Sequence, residues 1–178
     1  MKSTVTTPIS ASSAETARVP DRGSSRSQIT WLRCVCLSVV VILVVGGITR
    51  LTGSGLSMVD WRPIAGILPP ITDNQWNEVF QMYQASPEYQ KVNQGMSLSD
   101  FKFIFFWEYL HRILGRIVGL LCLVPYLYFL IRGKLSPRMK VFGLALIGLV
   151  VGQGLMGWYM VKSGLVNKPE VSHYRLAA

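Results

Sequence analysis

The sequence predicts an all-α integral membrane protein with three full transmembrane helices and the start of a fourth. Three observations predict it. Hydrophobic residues make up 50% of the chain and charged ones only 15%, and with a mean hydropathy of +0.35 this is unlike a soluble domain of similar length. Three apolar runs each approach the roughly 20 residues that a helix needs to cross about 30 Å of hydrocarbon. The Lys and Arg residues behind a net charge of +9 flank those runs instead of gathering into a basic surface, which argues for lipid and against nucleic acid as the partner.

Residues 1–28 are rich in Ser, Thr and Arg without apolar periodicity. Such a stretch cannot bury enough surface to fold alone, so it reads as a disordered tail. The first run, WLRCVCLSVVVILVVGGIT from Trp31 to Thr49, should span the bilayer. A long loop follows, punctuated by Gly53, Gly55, Pro63 and the Pro69-Pro70 pair. Within it, TDNQWNEVFQMY offers Thr72 as an N-cap, Gln75 three residues on, and an apolar face of Trp76, Val79, Phe80 and Tyr83. That pattern predicts a short interfacial helix with a capping box.

The second spanning run starts near Phe103 and ends at Ile131, with Pro125 inside it as a candidate kink. The third, from Val141 to Val161, carries no charge and spaces Gly148, Gly152 and Gly157 so that another helix can approach closely. A fourth helix should begin at about Ser172. Cys34, Cys36 and Cys122 all lie within apolar runs and read as small buried hydrophobes. Orientation follows from Arg18, Arg22, Arg26 and Arg33 ahead of the first run and Arg132, Lys134, Arg138 and Lys140 after the second. Both clusters should face the cytoplasm, or the matrix of an organelle, with the long first loop on the other side.

The second run begins with a contradiction: FFWEYLHRILGRIVGL places Glu108, His111, Arg112 and Arg116 where a spanning helix should be apolar. Ionisable groups at membrane depth are expensive and mark function. At about 100° per residue, Glu108, His111, Arg112, Gly115, Arg116 and Gly119 share one stripe about 140° wide. An imidazole ligates iron, a guanidinium neutralises a carboxylate, and a glycine lets a flat macrocycle lie against backbone, a set that heme uses. His173, in the first turn of the fourth helix, would enter from the same side as His111 and supply the second axial ligand.

Plainer readings of these residues stay open. His111 can be a hydrogen-bonded histidine inside a bundle, Arg112 and Arg116 can snorkel, Gly115 and Gly119 can serve helix packing, and Glu108 can simply pair with Arg112 at i+4. In a desolvated pocket, Glu108 would instead be a candidate proton carrier.

Several stretches resemble one family. EYLHR at 108–112 followed by Gly115 and Arg116, GGITRLTGSGLSMVDWRPIAG at 46–66, GLMGWYMVKSGL at 154–165 and SHYRLA at 172–177 look like the heme A synthases of alphaproteobacteria and mitochondria. The resemblance runs from about Trp31 to the last residue. It implies an enzyme of eight membrane helices in two similar four-helix halves that oxidises the C8 methyl group of heme O to the formyl group of heme A, for cytochrome c oxidase assembly. Heme O would be the substrate, heme A the product and heme b a cofactor of the intact protein. Glu108 would match the essential acid, and His111 with His173 the histidine pair of the first half.

Under this resemblance residues 29–178 are an amino-terminal heme-binding half-domain cut short in its fourth helix. The expected site is in the bacterial inner membrane, with the mitochondrial inner membrane as the alternative, and the expected partners are heme O synthase and a second copy of the chain. The rival functions are a b-type cytochrome that only passes electrons and an inactive assembly or interaction fragment.

Overall fold

The computed structural model describes residues 22–59 and 68–166, and those residues form five helices and no strand. They run α1 (Arg22–Leu51), α2 (Asp73–Gln84), α3 (Pro87–Lys91), α4 (Leu98–Ile131) and α5 (Pro137–Val166). Three of them, α1, α4 and α5, are long and apolar enough to cross a membrane. The chain is therefore all-α and multi-pass in character, as the apolar runs predict. The fourth-helix start and His173 lie outside the described residues.

All three long helices extend beyond their apolar runs, because capping and tertiary contacts, not hydropathy, set where a helix ends. Helix α1 begins at Arg22, so residues 22–28 of the expected disordered tail are helical. Helix α4 begins at Leu98, where the Ser97 hydroxyl accepts from the Asp100 N–H at 3.2 Å. It then runs unbroken through Pro125. Helices α1 and α4 both end on a glycine at φ +64°, Gly53 and Gly133. At each end an amide just past the glycine reaches back, Ser54 to Thr49 O at 2.9 Å and Lys134 to Phe129 O at 3.0 Å. This is the left-handed C-terminal closure for which glycine is suited.

Helix α4 is the centre of the fold, packing along α1 on one side and α5 on the other. Near the α4–α5 turn, Trp31, Val35, Val118, Cys122, Tyr126, Phe129 and Leu135 form one buried cluster. Its one indole N–H is satisfied, since Trp31 Nε1 donates to Leu121 O at 2.7 Å. Tyr126 sets one edge of its ring against Gly143 of α5, where any Cβ would collide with it, and its hydroxyl donates to Lys140 O at 3.0 Å. Gly143 is thus where α5 approaches closely. Gly148, Gly152 and Gly157 meet no neighbouring side chain among the described residues. Cys122 is buried as expected, but Cys34 and Cys36 are exposed on the flank of α1.

At the opposite end, α2 and α3 lie over the first turns of α4. The capping box forms as its residues predict: Thr72 Oγ1 accepts from Gln75 N at 3.3 Å, and Gln75 Oε1 accepts from Thr72 N at 3.2 Å. Trp76, Val79, Phe80 and Tyr83 pack on buried Phe101, Ile104 and Phe105. Tyr83 stacks on Phe101 with centroids 4.9 Å apart, and Trp76 meets Phe105 edge-on at 5.1 Å. The expected interfacial helix is thereby a cover for α4. Helix α3 was not foreseen; Ser86 caps it, Pro87 starts it, and it touches α5.

Candidate functional site

Helices α1 and α4 run antiparallel, and their register builds the site. Ile42 lies opposite Gly115, Gly46 opposite His111, and Thr49 opposite Trp107, whose carbonyl accepts from Thr49 Oγ1 at 3.3 Å. A Cβ added at Gly46 would stand 3.1 Å from His111 Nε2. The half-buried imidazole therefore occupies space that exists because α1 has no side chain there. Gly115 would bring a Cβ to 3.6 Å from Ile42, and Gly119 to 4.0 Å from Val150, ordinary packing distances to α1 and α5.

Past α1 the chain turns back along α4 and delivers residues 54–58 to Glu108. Ser57 Oγ donates to Glu108 Oε2 at 2.6 Å, and the Met58 N–H donates to the same oxygen at 2.8 Å. Arg112 makes an ion pair with the other oxygen, Oε1, and donates to Met58 O at 3.1 Å. Glu108 is 3% exposed, so this carboxylate is removed from solvent and both of its oxygens are engaged. A buried charge survives only with such a set of partners, since desolvation of an unpaired one costs several kcal/mol. In the same loop Ser54, wholly buried, pairs with Thr52 at 2.5 Å.

The structure thus brings Glu108, His111, Arg112 and Gly115 together on the face of α4 that meets α1 and the 54–58 loop. Arg116 lies one turn beyond Arg112 and is half-buried. The i+4 pairing of Glu108 with Arg112 is present, but as part of a clamp that also holds the loop. Residue patterns did not single out Ser57, Met58, Gly46, Thr49 or Trp107. The one sequence signal for Gly46, Thr49, Ser57 and Met58 was their clustering in GGITRLTGSGLSM, which carried the family resemblance as a string without roles.

The donor set fits heme better than a bare metal ion. No group of three or more His, Cys, Asp and Glu side chains that could hold an ion occurs among the described residues. A heme iron needs an imidazole rather than a full protein cage, and His111, half-buried against Gly46, is the described residue that could hold one.

Fold and site together define a multi-pass helical membrane protein with a buried carboxylate–guanidinium clamp beside a histidine packed against Gly46. Residues 29–178 match the COX15-CtaA family, described as cytochrome oxidase assembly protein, and the chain belongs to that family, the heme A synthases. It is 53% identical over 150 residues to a protein of Nitrosospira multiformis named Heme A synthase, covering 83% of this chain and 42% of that one. A Heme A synthase of Flavobacterium psychrophilum is 49% identical over 156 residues, covering 86% and 46%. A Heme A synthase-mitochondrial ferredoxin fusion protein of Schizosaccharomyces pombe is 48% identical over 170 residues, covering 92% and 27%. The chain therefore spans less than half the length of these relatives. No solved structure matches it.

Proposed function

We propose that the chain acts in heme A formation, with heme O as substrate and oxidation of its C8 methyl group to the formyl group of heme A as the reaction. The observation that carries this reading is the buried Glu108 clamp set one turn from His111 on the same helix. Family membership and the relatives' names support it. The alternative is a b-type electron-transfer cytochrome, in which Glu108 would be structural.

In this reading the oxidising power comes from iron porphyrin and its electron partners, not from side chains. His111 and His173 would hold the heme iron. Arg112, which also holds Glu108 and Met58 O, or Arg116 would meet a propionate. Glu108 takes up a proton released as the methyl group is oxidised. Of its donors, Ser57 is the one neutral hydroxyl that can rotate about its own bond, so Ser57 is the route by which a proton reaches Oε2. Heme b, a heme O synthase partner, a homo-oligomer and an inner-membrane location with a cytoplasmic N-terminus complete the proposal.

The test is pigment analysis of membranes that contain the chain and are supplied with heme O. Glu108→Ala should retain bound heme but stop at heme O or a hydroxylated intermediate. Unimpaired heme A production by this variant removes Glu108 from the reaction. Heme binding by the unmodified chain without any change in the porphyrin favours the electron-transfer reading.

A further inference from the structure

Residues 54–58 are held against α4 by two kinds of contact. The first is apolar: Leu56 is buried, and Met58 packs on the cluster of Phe101, Ile104 and Phe105. The second is electrical and converges on the main chain of one residue. The Met58 N–H donates to Glu108 Oε2, the Met58 carbonyl accepts from Arg112, and Arg112 pairs with Glu108 Oε1. Carboxylate, guanidinium and Met58 therefore close a ring in which each member holds the other two.

The ring depends on one negative charge. Three donors converge on Glu108: the Ser57 hydroxyl, the Met58 N–H and the Arg112 guanidinium. Hydrogen bonds to an ionised acceptor are roughly twice as strong as neutral ones. A protonated carboxyl carries a donor of its own, so one of its oxygens meets donor with donor. The Ser57 hydroxyl can turn and accept, but the amide and the guanidinium can only donate. No neighbouring group can take over the role of the carboxylate. On α4, His111 and Arg116 lie one and two turns further on; Arg50, the charge at the end of α1, is exposed. Helix α2 brings Tyr83, whose hydroxyl feels the Glu108 charge, and residues 54–58 bring no charge.

We propose that residues 54–58 are a strap latched by the charge of Glu108. Uptake of a proton opens the strap at Ser57 and Met58 and gives the carboxyl access to solvent; loss of the proton to solvent closes it again. The apolar contacts of Leu56 keep the segment docked while it opens. The latch itself needs no heme, and only its place in the reaction rests on the proton-acceptor role given to Glu108 above.

The test is hydrogen–deuterium exchange of the full chain in detergent, resolved to single amides by mass spectrometry. Two amides of the same segment serve as reporter and control. The Met58 N–H bonds to Glu108, whereas the Ser54 N–H bonds to Thr49 O in the closing turn of α1. At neutral pH, Glu108→Gln, which has the shape of the neutral acid, should exchange Met58 about tenfold faster than the unmodified chain and leave Ser54 unchanged. In the unmodified chain, protection of Met58 relative to Ser54 should fall as the pH is lowered, and in Glu108→Gln that ratio should stay flat. Equal Met58 exchange in the two proteins at neutral pH overturns the latch. So does a ratio in the unmodified chain that stays flat down to about pH 4. If Glu108→Gln speeds both amides equally, the variant is loosened throughout, and the ratio in the unmodified chain decides. A latch that responds as expected while Glu108→Ala still forms heme A supports the strap and removes only its place in the reaction.

Discussion

The two halves of α4 are made differently. From Leu98 to Arg112 the helix carries Asp100, Lys102, Glu108, His111 and Arg112, and it is covered by α2, by the 54–58 loop and by α1. From Ile117 to Ile131 it carries no charge, and Leu120, Leu123, Val124 and Leu127 stand exposed along its flank. Lipid offers no hydrogen bonds, so polar groups at membrane depth must be satisfied by the protein itself. The comparison teaches that the buried ion pair sits where the 54–58 loop folds over the helix and supplies its hydrogen bonds, whereas the half that packs on α1 and α5 with Val118, Cys122, Tyr126 and Phe129 needs only apolar contacts.

Four changes probe this contrast. The largest effect is expected from Arg112→Leu, which leaves Glu108 buried without its guanidinium and should cost about 3–5 kcal/mol of stability. Thermal unfolding in detergent reads it; a loss under about 1 kcal/mol would show that the clamp is not a buried charge pair. In the apolar half, Phe129→Ala should cost about 3 kcal/mol by leaving a cavity beside Trp31. Its heme affinity should match that of the unmodified chain, and a parallel loss of Soret binding would erase the division between the halves.

Gly46→Val is expected to cost about 1–3 kcal/mol by overpacking. Because it intrudes on His111 Nε2, it should reduce heme affinity far more than Phe129→Ala does. The smallest effect belongs to Glu88, buried at the start of α3 with one carboxylate oxygen, Oε2, lacking a hydrogen-bond partner among the described residues. Burial pushes this carboxyl above its ordinary value of 4.5. The folded state then holds the proton more tightly than the unfolded one, so its contribution is present below pH 4.5 and is lost as pH rises toward the folded value. The melting temperature of Glu88→Gln should equal that of the unmodified protein in acid and exceed it at neutral pH. A constant difference across pH would point to packing instead.

The parts of the fold that hydrophobic length and local capping determine were legible. The three apolar runs mark α1, α4 and α5, and the Thr72–Gln75 pair marks the start of α2. Helix α3 was missed because five residues are too few for a periodic face, although Ser86 and Pro87 form a start signal. The early start of α4 has a local cause as well, the Ser97–Asp100 cap, which a reading centred on hydropathy passed over. In the site, Glu108, His111, Arg112 and Gly115 share a stripe because a helix imposes it. Ser57 and Met58 join them across 51 and 50 residues of chain. No local pattern carries that pairing. Gly46 was legible only as a glycine, since its use depends on which residue of α4 the antiparallel register puts opposite it.

The order of the clamp along the chain bears on biosynthesis. Ser57 and Met58 leave the ribosome well before Glu108 does, so the hydroxyl and amide that receive its carboxylate already exist when α4 is threaded into the bilayer. Arg112 follows within one helical turn. Co-translational insertion therefore never has to strand this acid in lipid, provided α1 waits beside the translocon for its partner.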